Sequence, residues 1–304
     1  MNFQEILEQI EQDVRPLFGQ GKVADYIPAL AKVPGDSFAM VVRTAEGEEF
    51  QVGQATQQFS IQSISKLFTL MQAVELSGDE IWDRVGREPS GNAFNSLIQL
   101  EHEKGIPRNP FINAGAIVIT DIIASRSADA SRRISDFYRK LSGNKTNRID
   151  EVVALSEKAH GHRNAALAHF MKSFGNIDSP VDDLLDIYFR QCSLTTSCLD
   201  LARAGTPLML EGYSDIAGKQ ILGPRNTKRI NSLMMTCGLY DAVGNFAFRV
   251  GLPAKSGVGG GILAVYPRKF TVAVWSPELD TYGNSCVGTK ALEWFTDHSG
   301  ISVF

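Results

Sequence analysis

Ser63 and Lys66 stand three residues apart in Phe59-Ser60-Ile61-Gln62-Ser63-Ile64-Ser65-Lys66-Leu67-Phe68, where a polar loop gives way to a helical pattern. From 64 to 76 the apolar residues Ile64, Leu67, Phe68, Met71, Val74 and Leu76 recur at helical spacing, and Gly78 follows as a stop signal. The spacing predicts a helix with Ser63 at its N-terminus. First-turn N–H groups lack internal partners and carry the positive end of the helix dipole, so negative charge developing at Ser63 would be stabilised there. Residues three apart share a helix face, which brings Lys66 within reach of the Ser63 hydroxyl. The chemistry of such a pair is nucleophilic attack by the serine with the lysine as base, and it requires an amine kept neutral by dry surroundings or a nearby cation. Ile64, Leu67 and Phe68 supply apolar neighbours. The competing reading is a serine helix cap beside an exposed Lys66. Ser142-Gly143-Asn144-Lys145 repeats the spacing, but in a turn-like polar run that no helix follows directly.

A second stretch with chemical character is Ala254-Lys255-Ser256-Gly257-Val258-Gly259-Gly260-Gly261. Four glycines in five positions weaken a strand, which points to a ligand approaching the backbone closely; the alternative is a bulge or bend. A phosphate loop is excluded, because Ala254 and Arg249 stand where that motif needs glycines. His160, His162 and His169 read as helix-surface residues, since no H-E-x-x-H and no third ligand at metal spacing accompany them. A Ser-His-Asp hydrolase is disfavoured by the absence of a G-x-S-x-G elbow.

The elements that must position these residues fall into three blocks. The N-terminal residues form an acidic amphipathic helix, and strands at 37–43 and 49–52 follow, joined as a hairpin by Ala45-Glu46-Gly47. Between 63 and about 224 the signals are helical, with helices expected at 114–124, 131–141, 155–174, 181–189 and 199–204 and no persuasive strand. A helix at 227–236 then leads to strands at 246–252, 258–265 and 269–275 and a closing helix at 285–296. Strands at both ends with helices between predict an α+β fold in which one antiparallel sheet is built from the two chain ends. Residues 1–62 plus 225–304 would form the sheet-containing subdomain and 63–224 an inserted helical subdomain, the whole of 1–304 acting as one catalytic unit.

With 304 residues, 43% hydrophobic and 21% charged, the chain can bury a substantial core. A formal net charge of −4 with interspersed signs gives no basic stripe for nucleic acid and no polybasic membrane anchor, so a small-molecule partner is expected. Residues 1–10 carry neither a basic n-region nor a long apolar run, which reads as no signal peptide and no membrane span. Cys192, Cys198, Cys237 and Cys286 form no C-x-x-C pair and read as reduced thiols of a cytoplasmic protein.

A Ser-x-x-Lys at a helix start and a Lys-Ser-Gly on a late strand of such a chain resemble the β-lactamase and penicillin-binding-protein architecture. The motifs Gln62-Ser63-Ile64-Ser65-Lys66, Pro110-Phe111-Ile112-Asn113-Ala114-Gly115-Ala116, Ser156-Glu157 with Asn164, Cys237-Gly238-Leu239-Tyr240-Asp241 and Lys255-Ser256-Gly257-Val258-Gly259-Gly260-Gly261 resemble more closely those of the serine-dependent glutaminases. They occur in that family's order, and the match runs from about Tyr26 to the C-terminal strands. Ser90-Gly91-Asn92 mimics a β-lactamase Ser-x-Asn element.

The resemblance implies hydrolysis of the side-chain amide of L-glutamine to L-glutamate and ammonia, without metal or organic cofactor. It implies Ser63 as nucleophile and Lys66 as its base. Tyr240 would move a proton to departing ammonia, its phenol pKa lowered by lysines such as Lys255, and which of Lys66 and Tyr240 is the principal base stays open. The backbone N–H groups of Ser63 and Val258 would bind the oxyanion. Glu157, Asn113, Asn164, Tyr26 and Tyr188 would hold the α-ammonium and α-carboxylate, Glu157 as the ammonium partner. Taken singly, these residues read as solvated helix, cap or core positions. The resemblance also implies a homo-oligomer, either dimer or homotetramer. Another serine amidohydrolase of the same architecture and a non-catalytic amino-acid sensor are the alternative readings.

Overall fold

A computed structural model describes residues 2–90 and 97–304. The Ser90-Gly91-Asn92 element therefore extends outside the described residues. Its centre is a five-stranded antiparallel sheet of β1 (Ala39–Thr44), β2 (Glu49–Gly53), β3 (Ala254–Ser256), β4 (Gly261–Tyr266) and β5 (Phe270–Trp275), ordered β2-β1-β5-β4-β3. The two chain ends meet where β1 pairs β5, with Val41 opposite Ala273. Each central strand splits its buried side chains by the period of two. Met40, Val42, Ile262, Ala264, Val272 and Val274 face one core, while Ala39, Val41, Leu263, Val265, Ala273 and Trp275 face another.

The first core lies under α1 (Phe3–Val14) and, at the other end of the chain, the closing helix Cys286–Ser299; Leu7, Ile10, Val14, Ala291, Leu292 and Phe295 are their inward residues. The second core belongs to the helical middle of the chain. It contains α2 (Ser65–Ser77), α3 (Leu97–His102), α4 (Asn113–Ala124), α5 (Ala130–Ser142), α6 (Glu151–His160), α7 (His162–Ser173), α8 (Val181–Cys192), α9 (Cys198–Ala204) and α10 (Thr206–Met209). The helix α2 is buried from Ser65 through Val74, so it runs through the centre of this block with neighbours on every side. The α+β, β-lactamase-like class expected from the sequence is the class observed. Among the described residues no helix is long and apolar enough to cross a membrane.

Three expected elements differ, and short strands occur where none was expected. The strand expected at 246–252 is the helix α12 (Val243–Arg249), which follows α11 (Pro224–Cys237). Phe246, Phe248 and Val250 alternate like a strand, yet Phe246 and Val250 are buried while Phe248 is 91% exposed, so the three- and four-residue spacing of Val243, Phe246 and Val250 prevails. The single helix expected at 155–174 is broken at Gly161, where a Cβ would lie 2.3 Å from the Phe189 ring. The strand expected at 258–265 begins at Gly261, because residues 257–260 form a turn in which Gly260 has φ +90°. Within the helical middle, Thr195–Thr196 pairs Phe59–Ser60, and Tyr213–Ser214 pairs Lys219–Gln220, as short ribbons.

The helices that frame the site are tied by one buried ion pair. Asp121 on α4 has no exposed surface, and its carboxylate accepts from Arg84 Nη2 (2.5 Å), Asp178 N (2.9 Å) and Ser179 N (2.8 Å). Burial alone would raise its pKa, but the guanidinium and the two N–H donors outweigh that and hold it below the usual carboxylate value. A depressed folded-state pKa means the pair stabilises above the unfolded value, and that contribution is lost as pH falls through the folded one. Asp121→Asn removes a fully buried carboxylate from two loop N–H groups and from a half-buried guanidinium that keeps its pairing with Asp178, so urea denaturation at pH 7 is expected to show a loss of about 2 kcal/mol. The gap to the parent narrows as the measurement is moved below pH 4.

Candidate active site

The nucleophile candidate sits in a tight turn, Gln62–Ile64, directly before α2, one step earlier than the helical spacing suggested. Two segments clamp this turn. On one side Ile61 N donates to Leu194 O (2.8 Å) and Ser60 Oγ donates to Cys192 O (3.1 Å), at the C-terminal end of α8. On the other lies the glycine turn: a Cβ on Gly257 would be 2.8 Å from Ile61 O, and one on Gly259 would be 2.2 Å from Ser60 O. The glycines therefore admit the backbone of the nucleophile turn itself, while Val258 between them lines the cleft. Trp275 Nε1 donates to Gly259 O (2.9 Å) and its ring stacks on Phe59 at 4.9 Å, fixing both partners to the sheet.

Lys66 is 1% exposed, which overturns the alternative of an exposed lysine beside a helix cap. Its ammonium nitrogen donates to Asn113 Oδ1 (2.7 Å) and Phe111 O (3.2 Å). The loop that presents those acceptors is folded by Asn109, whose Oδ1 accepts from Phe111 N (3.0 Å) and Ile112 N (3.1 Å), against Gly115, where a Cβ would lie 1.9 Å from Asn109 O. Burial pulls the Lys66 pKa down to about 8, against the opposing influence of Cys192 and Glu157. The other Ser-x-x-Lys match lacks this setting, since Ser142 is the last residue of α5 and Gly143 ends that helix with φ +71°.

Tyr26, Ser63, Asn113, Glu157, Asn164, Tyr188, Tyr240 and Val258 all line one cleft of about 500 Å³, and Lys66 lies beneath its floor. Asn113 Nδ2 donates to Asn164 Oδ1 (2.9 Å), linking α4 to α7. Glu157 is half-buried on α6, a helix started by Asp150, whose carboxylate accepts from Val152 N and Val153 N. Burial pushes Glu157 up to about 7, although a hydrogen bond from the Gln62 side chain and the charges of Lys66 and His160 pull the other way. Tyr188 is buried, with its hydroxyl against Cys192, whose thiol burial pushes up to about 12.

Tyr240 has φ +51° and Gln62 φ +50°, left-handed conformations that cost energy in residues other than glycine. The Tyr240 phenol meets the Ser63 hydroxyl and the Val258 backbone N–H. Burial outweighs both and raises the phenol pKa, contrary to the sequence expectation. The reason is that the ring is buried: Lys255 stands over it, but its charge does not offset the cost of ionising a phenol out of water.

Sequence reasoning missed Gln62 as a cleft residue, and its signal was its place immediately before Ser63. It also missed the polar turn Asp280–Gly283, where Asp280 Oδ1 accepts from Tyr282 N (2.8 Å) and Asn284 N (3.0 Å) to shape the rim. Asp280-Thr281-Tyr282-Gly283-Asn284 before a helix was the available sign. His160, His162 and His169 are exposed, as expected.

A glutaminase family model matches residues 21–304. A curated glutaminase of Paraburkholderia phytofirmans is 54% identical over 304 residues, covering all of both chains. Among solved structures, the probable glutaminase ybaS superposes with a TM-score of 0.94 at 37% identity, covering 99% of this chain and 98% of that one. A probable glutaminase from Bacillus subtilis, complexed with 6-diazo-5-oxo-L-norleucine, superposes with a TM-score of 0.89 at 33% identity, covering 100% and 97%. The architecture and these matches agree: the chain belongs to the glutaminase family, and its activity is the hydrolysis of glutamine.

Proposed function

We propose that this hydrolysis runs through a covalent glutamyl ester of Ser63, formed and broken without metal or organic cofactor. The observation that carries the reading is the meeting of the Ser63 hydroxyl, the Tyr240 phenol and the Val258 N–H in the cleft, with the Lys66 amine buried behind them. Lys66, neutral above about pH 8, takes the Ser63 proton as the serine oxygen bonds to the side-chain amide carbon. The N–H groups of Ser63 and Val258 stabilise the oxyanion, Val258 turning its donor from the phenol to the substrate. Collapse breaks the C–N bond, and the departing nitrogen takes a proton from the Lys66 ammonium by way of the Tyr240 hydroxyl. Water then attacks the ester with the same groups in reverse order, releasing glutamate.

A raised phenol pKa suits Tyr240 to passing a proton on rather than holding a negative charge, which supports the reading of Lys66 as the principal base. Glu157 pairs the α-ammonium of glutamine. Asn113, Asn164, Tyr26 and Tyr188 surround the α-carboxylate end, where amide N–H and phenol O–H groups donate.

Ammonia release from L-glutamine and L-asparagine, measured in chelator, tests the covalent route. Wild-type protein is expected to be glutamine-selective, and Ser63→Ala and Lys66→Ala to lose at least about a thousandfold in kcat with unchanged circular dichroism. Appreciable activity in Ser63→Ala would remove the acyl-serine, and a mild Lys66→Ala would return the base role to Tyr240. The ammonium role of Glu157 makes a separate statement about pH. Its carboxylate, titrating at about 7, is charged above that value, so the KM for glutamine should rise as pH falls below it. In Glu157→Gln the KM should be high and flat across the same range; a retained slope would assign the titration to another group.

A further inference from the structure

Lys66 and Lys255 bring two amines into one dry place. Each is 1% exposed. Both abut Phe111: Lys66 Nζ donates to its carbonyl at 3.2 Å, and Lys255 Nζ lies 5.8 Å from its ring centroid. Lys255 Nζ also stands over the Tyr240 ring at 5.0 Å and donates to Ser256 O. Every hydrogen-bond acceptor the two amines meet among the described residues is neutral: the Phe111 carbonyl, the Asn113 amide oxygen and the Ser256 carbonyl. The titratable groups around them are Cys192 of α8, a neutral thiol, Glu157 of α6 and Tyr240.

Two ammonium groups in such a pocket repel each other with little solvent to screen them, and no hydrogen-bonded carboxylate offsets the second charge. We propose that Lys255 is a positioning residue for the base: the two amines hold one proton between them, and Lys255 carries it in the state where Lys66 is neutral and able to act. This deepens, and rests on, the Ser63–Lys66 reading above. Two aromatic faces and a carbonyl suit Lys255 to holding a cation. Two polar acceptors suit Lys66 equally, so the proton is shared by a coupled pair.

During acylation the Ser63 proton moves to neutral Lys66 as the oxygen–carbon bond forms. Two cations then face each other, which drives the Lys66 proton onto the departing nitrogen as the carbon–nitrogen bond breaks and ammonia forms. The Lys255 proton stays where it is, and the pair returns to one charge.

The test is the pH dependence of kcat for wild type, Lys255→Met and Lys255→Arg. In the occupied enzyme Glu157 is engaged by substrate, so the acid limb of kcat reads the base. In the Met variant a single proton on Lys66 abolishes activity, and the limb should move up by about one unit, a tenfold loss below it with little change well above it. The Arg variant keeps a permanent cation, so its limb should stay at or below that of wild type. An equal loss at every pH in a folded Met variant would show Lys255 to be structural and overturn the inference, as would an Arg variant whose limb moves up. The Arg profile decides alone if the Met variant fails to fold. Unmoved limbs together with an inactive Lys66→Ala would remove this inference and leave the mechanism standing, whereas an active Lys66→Ala would remove the mechanism itself.

Discussion

A primary amine taken out of water gives up its proton readily unless a negative charge stands beside it, and the centre of this molecule is built to keep Lys66 in that condition. The requirement is severe. The amine must be dry, it must still be hydrogen-bonded, and its partners must be neutral. A helix buried on every side meets the first condition. The Asn109-folded loop and Asn113 at the start of α4 meet the other two. The ion pair of Asp121 and Arg84 fixes α4 against the segment before α8, about two helical turns along from Asn113, so the charges that stabilise the frame stand apart from the base.

The sheet contributes by fit rather than by chemistry. The β3–β4 turn presses on the nucleophile turn from one side while the end of α8 grips it from the other, and Gln62 takes up a left-handed conformation between them. Strain at such a point persists only where its surroundings over-determine it, and here two independent parts of the fold do so. That both chain ends supply the central sheet explains how residues as far apart as Ser63 and Val258 reach one cleft.

Much of this was legible in the chain. Period-two and period-three-to-four patterns gave the sheet from both ends and the helical middle, and the Ser-x-x-Lys and Lys-Ser-Gly stretches located the chemistry. What escaped depends on tertiary contact. Phe246, Phe248 and Val250 fit a strand while Val243, Phe246 and Val250 fit a helix, and only burial chooses between the two patterns. Gly161 looks like a tolerated helix residue until Phe189 occupies the space where its side chain would be. The glycines at 257–261 announced a close approach but not what approached. The depth of Lys66 and Lys255, and with it the direction of the Tyr240 shift, is a property of packing that no local spacing carries.

The contact between the two turns is made by main-chain oxygens of Ser60 and Ile61 against hydrogens of Gly257 and Gly259. It is therefore blind to which side chains residues 60 and 61 carry and sensitive only to the path their backbone takes. The two halves of the contact are unequal in how far they can drift over generations: one side can exchange residues while keeping its shape, and the other bears the whole restriction. A redesign of this cleft for a different amide would find its latitude in the first turn and almost none in the second.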